Sequence, residues 1–417
     1  MDSTFLHTGT WLLPAQAVPP ETWACVACDQ FTSQPEYWRK AEALVGENPS
    51  TLRLILPEAL LAEADARVPA IHQAMRDYLA QGVVAQGVQD GFVLVLRHTE
   101  AGTHIGLVGL IDLEGYDYRP GNQSPVRATE GTILERIPPR LTVRRGAALE
   151  TSHVLLLIDD PAQTVLEPLA GRTEHLPCLY DLTLMLGGGN LQGYAVTEQA
   201  DIQAVYGALH ALQAQHEGGI LYAVGDGNHS LATAKAYWEE LKPSLPEAAR
   251  AMHPARYAMV EVQNLHSDAL QLEPIHRVLF GFDGDSLLEE LAAFAAQNGW
   301  QLASGEEGQP IRIVYEGKEV AVSVTGSAHP LTVGTLQAFL DAWMPAHPET
   351  TLDYVHGEAD ARALSQGEKT VAFLLPALAK DDLIPMVEKL GALPRKTFSM
   401  GEAHQKRYYM EVRALQP

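Results

Sequence analysis

One short stretch, residues 220–241, constrains the fold of this chain more than any other. It reads ILYAV-GDGNHS-LATAKAYWEEL: an apolar run, a turn of glycine and small polar residues, and a helical pattern. An apolar run that meets glycine and then helical periodicity predicts a buried strand that turns directly into a helix. Leu231, Ala234 and Trp238 share one face of that helix and are expected to pack on the sheet.

The turn, here called the box, has the composition of an anion-binding loop. Its residues are Gly225, Asp226, Gly227, Asn228, His229 and Ser230. The glycines allow close approach of the backbone, and the first N–H groups of a helix lack partners within the helix and face an anion placed there. His229 and Thr233 lie four residues apart and are placed to meet the same ligand. From these residues alone, a phosphate site and a simple capped turn remain equal alternatives.

Strands and helices alternate along the whole chain, which predicts a mixed α/β protein. Residues 91–97 and 105–113 read as a β-hairpin, and residues 200–214 as a helix that precedes the box. A chain of 417 residues exceeds one comfortable hydrophobic core. The acidic, glycine-containing link 281–285 is the predicted boundary, giving one domain at residues 1–280 and a second at 281–417.

Charge excludes some classes of partner. The chain has 29 basic and 52 acidic side chains, a net charge of −23, so its average surface repels nucleic acids and anionic membranes. We therefore expect neither partner. The sequence contains neither an apolar run long enough to cross a bilayer nor an N-terminal signal pattern, so a cytoplasmic location is expected.

The three cysteines fit a reducing compartment. Cys25 and Cys28 form a C-x-x-C pair, which suits either a redox couple or half a zinc site, but the sequence holds no second pair to complete a metal site. The alternative is two small buried side chains. Cys178 stands alone.

Positive charge is concentrated in one long polar stretch. Between Arg127 and Arg145 there are five arginines against two acids, in a chain that is otherwise strongly negative. Long irregular stretches of this kind often carry function, although a solvated loop with scattered charges is the alternative.

The box resembles the D-G-H-H-R box of a bacterial family known only as a domain of unknown function (number ten-fifteen). The likeness extends to four further blocks in order: residues 29–38 (DQFTSQPEYW), 127–132 (RATEGT), 273–277 (EPIHR) and 393–398 (LPRKTF). It covers nearly the whole chain. Five separated blocks are far more specific than one short motif.

The box is also similar to that of a wider superfamily containing the ParB nucleotidase domains, sulfiredoxin and the free-serine kinases. This resemblance implies a ParB/sulfiredoxin-like nucleotide-binding core with large insertions and a second, smaller α/β domain. It implies a nucleoside di- or triphosphate and Mg²⁺ as cofactors, with Asp226 as a catalytic or Mg²⁺-binding carboxylate and His229 beside the phosphate. A base for the acceptor hydroxyl is expected at Glu130 or Asp29.

Two departures from the family box matter. Asn228 stands where its first histidine would be, and Ser230 where its arginine would be. Losing the arginine removes a two-pronged phosphate ligand, so another cation is expected to replace it. Arg127 and Arg277, each inside a matched block, are the predicted replacements.

Three functions follow from the resemblance. The first is a kinase-like phosphotransferase acting on a small hydroxyl substrate such as free serine. The second is a nucleotide-binding switch or regulatory protein with weak or no hydrolysis. A sulfiredoxin-like reductase would need a cysteine in the box, which contains none.

Overall fold

The computed structural model describes residues 4–119, 121–215, 219–305 and 307–416. The chain divides into two compact units. The larger unit comprises Met1–Leu270, Ile384–Ala392 and Gly401–Pro417, and the smaller comprises Gln271–Leu383 and Leu393–Met400. Both contain helices and strands, which confirms the predicted mixed α/β class.

The larger unit is built on one mixed sheet. Up to residue 270 the strands of this unit are β1 (Leu6–His7), β2 (Gly9–Pro14), β3 (Val84–Thr99), β4 (Gly102–Asp112), β5 (Tyr116–Asp117), β6 (Val126–Ala128), β7 (Leu149–Glu150), β8 (Leu155–Ile158), β9 (Cys178–Thr183), β10 (Asn190–Val196), β11 (Tyr222–Asp226) and β12 (Tyr257–Asn264). All of them except β7 belong to the mixed sheet. The main order is β5-β6-β11-β8-β12-β4-β3-β10-β9, with β1 added beside β4 and β2 beside β3. β3 and β4 form the predicted antiparallel hairpin.

Both faces of this sheet are covered, which explains why its central strands are apolar without interruption. Along β3, Phe92 and Leu94 belong to one core cluster, while Val93 and Val95 belong to another. Because successive side chains of a strand point to opposite faces, the two clusters lie on the two sides of the sheet.

Helices cover the faces of this sheet. Those of the larger unit are α1 (Pro20–Trp23), α2 (Pro35–Val45), α3 (Ala64–Ala80), α4 (Ile137–Arg144), α5 (Glu167–Ala170), α6 (Gln199–Gln213), α7 (Asn228–Leu241) and α8 (Glu247–Arg250). In α7, Leu231, Ala234 and Trp238 are buried in the same cluster as Val224 of β11, as the helical spacing predicts. β11 lies between β6, to which it is parallel, and β8, to which it is antiparallel.

The smaller unit has an antiparallel sheet of its own. Its strands are β13 (Leu272–Phe280), β14 (Gln301–Ala303), β15 (Gln309–Tyr315), β16 (Lys318–Thr325), β17 (Thr351–His356), β18 (Thr370–Leu374) and β19 (Phe398–Met400), and its complete helices are α9 (Gly284–Gln297), α10 (Thr332–Trp343) and α11 (Glu358–Leu364). The order is β14-β16-β15-β18-β13-β17, with β19 also paired to β13.

The division between the units differs from the boundary expected at residue 280. β13, which ends at Phe280, lies wholly in the smaller unit, and the division also passes through α12 (Lys380–Leu390). Residues 401–417 belong to the larger unit, where β20 (Arg413–Ala414) pairs with β7. A chain that returns to its first unit cannot be described by one boundary.

The returning C-terminal segment lies against the N-terminal segment of the same unit. Val26 and Tyr408 form an antiparallel bridge, and the N–H of Tyr409 donates to the carbonyl of Cys25 at 2.8 Å. None of the helices in the described part of the chain combines the length and apolar character needed to span a bilayer.

Candidate functional site

The box joins the end of β11 to the start of α7. β11 ends at Asp226, Gly227 is the N-cap, and α7 begins at Asn228. Gly227 has φ of 77°, and a Cβ there would lie 3.0 Å from the Cα of Val154, so glycine is required on two grounds. Glycine has no side chain, so Gly227 makes no side-chain cap at the start of α7, which is where a helix offers N–H groups to an anion.

A lysine lies at the box although no sequence pattern places it there. The Nζ of Lys406 is 3.4 Å from Oδ2 of Asp226, and the lysine side chain is only 10% exposed. The other oxygen of Asp226, Oδ1, accepts the N–H of Gly227 at 2.9 Å. The structure therefore supplies a cation beside the box from the C-terminal segment.

One histidine connects the N-terminal segment, the box helix and the C-terminal segment. The Nε2 of His153 lies 3.3 Å from Oδ2 of Asp29 and 3.3 Å from Oγ of Ser230. Its Nδ1 lies 2.6 Å from the hydroxyl of Tyr409, which also accepts the N–H of Cys28 at 3.0 Å. Asp29, predicted as a base, and Ser230, predicted as a phosphate contact, are thus brought to one imidazole.

The charges of this pair are set by their mutual contact. Burial alone would raise the pKa of Asp29, but the charge of His153 and its hydrogen bond hold that pKa well below the usual range. Burial alone would lower the pKa of His153, yet Asp29, with a contribution from Cys28, raises it well above its ordinary value. At neutral pH the pair is a carboxylate and an imidazolium, and both ring nitrogens of His153 are donors.

The other box residues have mixed surroundings. The Nε2 of His229 accepts the N–H of Ile133 at 3.3 Å, and the hydroxyl of Thr233 donates to the carbonyl of His229 at 2.7 Å. Gly225 is half-buried near the end of β11. The Oδ1 of Asn228 is buried and has no hydrogen-bond partner among the described residues. Leaving such an acceptor unpaired costs about 1–3 kcal/mol, which points to a donor or cation from a ligand.

Arg127 lies in the strand beside β11, and Glu130 follows that strand. Arg127 is in β6, buried, and its guanidinium donates to the carbonyl of Ser124 at 2.9 Å and to Oε1 of Gln123 at 3.3 Å. The hydroxyl of Thr129 donates to a carbonyl of β11 at 2.7 Å. Because β6 and β11 are parallel, Glu130 follows β6 at the sheet edge where the box follows β11. The functional roles of both residues stay predictions.

Arg277 lies in β13 of the smaller unit and is fully buried. Its guanidinium donates to the carbonyls of Lys396, at 2.9 Å, and Arg395, at 2.8 Å. It also lies 5.1 Å from the ring centre of Tyr354. Carbonyl oxygens thus accept hydrogen bonds from this guanidinium, and the assignment of Arg277 to phosphate stays a prediction.

The C-x-x-C pair carries free thiols. Cys25 is buried, and burial raises the pKa of its thiol to about 12, although a hydrogen bond from Thr51 acts in the opposite direction. Cys28 is half-buried. These surroundings fit the interpretation of small packed side chains for Cys25.

The described residues contain no cluster of three or more histidine, cysteine, aspartate or glutamate side chains that could hold a metal ion. Mg²⁺ does not require such a cluster, because it commonly binds through one or two protein oxygens together with phosphate oxygens and water. Asp226 and the unpaired Oδ1 of Asn228 are oxygens of the kind that Mg²⁺ takes.

Sequence reasoning missed three residues of the site, namely His153, Lys406 and Tyr409. Each is far along the chain from its contacts, since His153 is 77 residues from Ser230 and 256 from Tyr409. None belongs to a matched block or has a periodic partner. The return of the C-terminal segment to the larger unit brings Lys406 and Tyr409 to the box, whereas His153 lies just before β8, which pairs with β11.

Comparison with known proteins gives a family but no function. The family model described as "Protein of unknown function (DUF1015)" matches residues 12–343. No curated protein gives a significant match.

Solved structures with a similar course of the chain were also found. A free serine kinase in complex with AMP has 13% identity and a TM-score of 0.39, over 73% of this chain and 91% of the kinase. A conserved hypothetical protein from Pyrococcus furiosus has 13% identity and a TM-score of 0.37, over 74% of this chain and 94% of that one. SbnI from Staphylococcus aureus, with a C-terminal truncation, has 11% identity and a TM-score of 0.37, over 70% and 82%.

Proposed function

We propose that this protein, which belongs to the DUF1015 family of proteins of unknown function, transfers a phosphoryl group from a nucleotide to a small hydroxyl compound. The observation that carries the proposal is the contact of one histidine, His153, with both Asp29 and Ser230. The carboxylate of Asp29, which can orient a hydroxyl group, therefore lies near the N-terminus of α7, which can hold phosphates.

The phosphates of the nucleotide would bind at the start of α7. Its first N–H groups face that end, and the partial positive charge of the helix N-terminus favours an anion there. Lys406 supplies a full positive charge and takes the place of the arginine that Ser230 replaces in the family box. The strand-loop-helix of the ParB, sulfiredoxin and free-serine-kinase superfamily, which the box resembles, holds nucleotide phosphates in the same way.

The acceptor hydroxyl would lie between Asp29 and the terminal phosphate. Its oxygen forms the new bond to phosphorus, the bond from phosphorus to the nucleotide breaks, and the hydroxyl proton passes to the carboxylate of Asp29. Phosphoryl transfer needs positioning more than early proton removal, so a carboxylate with a low pKa is adequate. His153 is a positioning residue that fixes Asp29 in its ionised form.

Asp226 and Asn228 would hold a Mg²⁺ ion through their side-chain oxygens. When bound, Mg²⁺ neutralises the charge that develops on the phosphates. Free serine is the acceptor that the superfamily resemblance suggests.

One contact favours the second candidate, a nucleotide-binding switch with little or no turnover. Lys406 already neutralises Asp226, and a neutralised carboxylate is a weaker Mg²⁺ ligand. In that case nucleotide would bind and no phosphorylated product would form.

The test is product analysis by ³¹P NMR, with ATP or ADP, Mg²⁺, and a panel that contains serine and other small hydroxy compounds. We expect a phosphorylated acceptor from the wild type, and at least about a 100-fold slower reaction from Asp29→Asn. Asp65→Asn, on the exposed start of α3, is the matched control and should react like the wild type.

Product from the wild type and from Asp29→Asn at equal rates would refute the role of Asp29. Nucleotide binding without product from any acceptor would favour the switch. Absence of nucleotide binding would contradict both functions.

A further inference from the structure

The described part of the larger unit contains a cavity of about 140 Å³ beside the box. Its lining includes Ser230, Thr233 and His153, which belong to the site described above, and the half-buried Cys28. The walls are largely apolar, and include Leu54, Leu56, Met75, Val143 and Leu149. An apolar cavity of roughly 150 Å³ takes a molecule about the size of benzene, so a compact aliphatic body fits.

Two arginines also line the cavity, and they differ in how they are paired. Arg140 forms an ion pair with Glu58, which lines the same cavity, so Arg140 already has an anionic partner. Arg144 donates from Nη1 to Oε1 of Glu150 at 2.6 Å. Its Nε and Nη2 are shielded from solvent and have no hydrogen-bond partner among the residues that the structure describes.

The charge around Arg144 does not balance within the protein. Glu150 is shared between Arg144 and Arg413, so one buried carboxylate serves two arginines. The remaining donors of Arg413 are used by the carbonyls of Pro254 and Tyr257. The surplus of one positive charge therefore rests on Arg144, whose side chain is 13% exposed. A buried charge without a partner is strongly unfavourable, and a bound anion would remove that penalty.

The geometry of the unpaired donors indicates which kind of anion would bind to Arg144. Nε and Nη2 form one edge of the guanidinium, and the two parallel N–H groups of such an edge match the two oxygens of a carboxylate. A carboxylate carries one negative charge, which equals the surplus, whereas a phosphate group carries close to two.

We infer that this cavity binds a small carboxylic acid with an aliphatic body, whose carboxylate pairs with the Nε and Nη2 edge of Arg144. The other end of such a molecule lies toward Ser230 and His153, where the proposed phosphoryl transfer takes place. The acid is therefore the phosphoryl acceptor, a small aliphatic hydroxy acid. Its identity as acceptor rests on the proposed function, whereas its binding at Arg144 does not.

The experiment measures binding of β-hydroxybutyrate and other short aliphatic hydroxy acids by ligand-observed NMR and calorimetry, in the absence of nucleotide. Each acid is compared with its primary amide, which has nearly the same shape and no charge. We expect each acid that binds to do so at least about tenfold more tightly than its amide, because only the carboxylate pairs with Arg144.

Arg144→Gln should weaken binding of the acid at least about tenfold and abolish the preference over the amide. Arg145→Gln is the matched control, because Arg145 is the next residue, is half-exposed and pairs with Glu240 at the surface. It should change the affinity by less than about twofold. Arg144→Lys keeps the charge without the two-donor edge and should lose part of the preference, which tests the inference if Arg144→Gln fails to fold.

Equal binding of acid and amide, unchanged affinity in Arg144→Gln, or no acid binding more tightly than about 10 mM would overturn the inference. Acid binding that depends on Arg144, in a protein that binds no nucleotide, would uphold the carboxylate site and reject the proposed function. Failure of the carboxylate site can therefore be distinguished from failure of the proposed function.

Discussion

Replacing Asp29 by asparagine should make His153 lose its proton near neutral pH. The two side chains approach to 3.3 Å, and the exposed fractions of their side chains are 4% for His153 and 24% for Asp29. At that distance and an effective dielectric constant of about 20, the attraction between unit charges is about 5 kcal/mol, or between three and four pKa units. Without it, burial is the main remaining influence, and burial lowers the pKa of His153.

The direction of the pH effect follows from both partners. The raised pKa of His153 means that its contribution to stability is complete below about pH 6.5, the unfolded value, and is lost as the pH rises through the folded value. The lowered pKa of Asp29 means that its contribution is complete above about pH 3.9 and is lost as the pH falls. The ion pair is therefore fully effective between these two values.

The assay is an NMR titration of the histidine ring signals, with the His153 signal assigned from a His153→Gln variant. In the wild type the ring of His153 should stay protonated well above pH 6.5, and in Asp29→Asn its pKa should fall by at least about two units. Asp65→Asn should leave the titration unchanged. A His153 signal that titrates at the same pH in the wild type and in Asp29→Asn would show that Asp29 does not keep His153 protonated.

Three further predictions concern the surroundings of the box. Lys406→Met should weaken ADP binding, measured by calorimetry, by about 10-fold to 100-fold, because a charge-assisted contact contributes about 1.5–3 kcal/mol. Unchanged affinity would exclude Lys406 as a phosphate ligand. Gly227→Ala should lower the free energy of unfolding in urea by about 1–3 kcal/mol, because of its positive φ and the contact with Val154, and wild-type stability would contradict this. Burial acts to raise the pKa of Glu150, but Arg144 and Arg413 hold it below the ordinary value. The contribution of Glu150 to stability is therefore complete above about pH 4.3 and is lost at lower pH. The wild type should lose more stability than Glu150→Gln between about pH 5 and 3. Parallel plots of unfolding free energy against pH for the two proteins would contradict this.

Local structure was predictable because its causes are local. The turn from β11 into α7 follows from an apolar run, two glycines and a helical spacing, and the burial of Leu231, Ala234 and Trp238 follows from that same spacing. The β3–β4 hairpin was predictable for a similar reason, since two apolar runs flank a short polar turn.

The charged surroundings of the box were not predictable, because they depend on contacts between distant parts of the chain. Lys406 and Tyr409 reach the box only because the C-terminal segment pairs with residues near the N-terminus. Because of that pairing, no single boundary in the sequence divides the chain into its two units. The cation expected from sequence was sought in matched blocks, at Arg127 and Arg277. The structure places Lys406, which lies outside those blocks, 3.4 Å from the carboxylate of Asp226.

The claim that the start of α7 holds nucleotide phosphates is tested most directly by backbone amide NMR. Amide signals of the protein are followed during titration with ADP and, separately, with adenosine, which has the same base and sugar without phosphate. If the start of α7 holds the phosphates, ADP shifts the amides of Asn228, His229 and Ser230 and adenosine does not. Shifts confined to other parts of the chain, or equal shifts with both ligands, would contradict it.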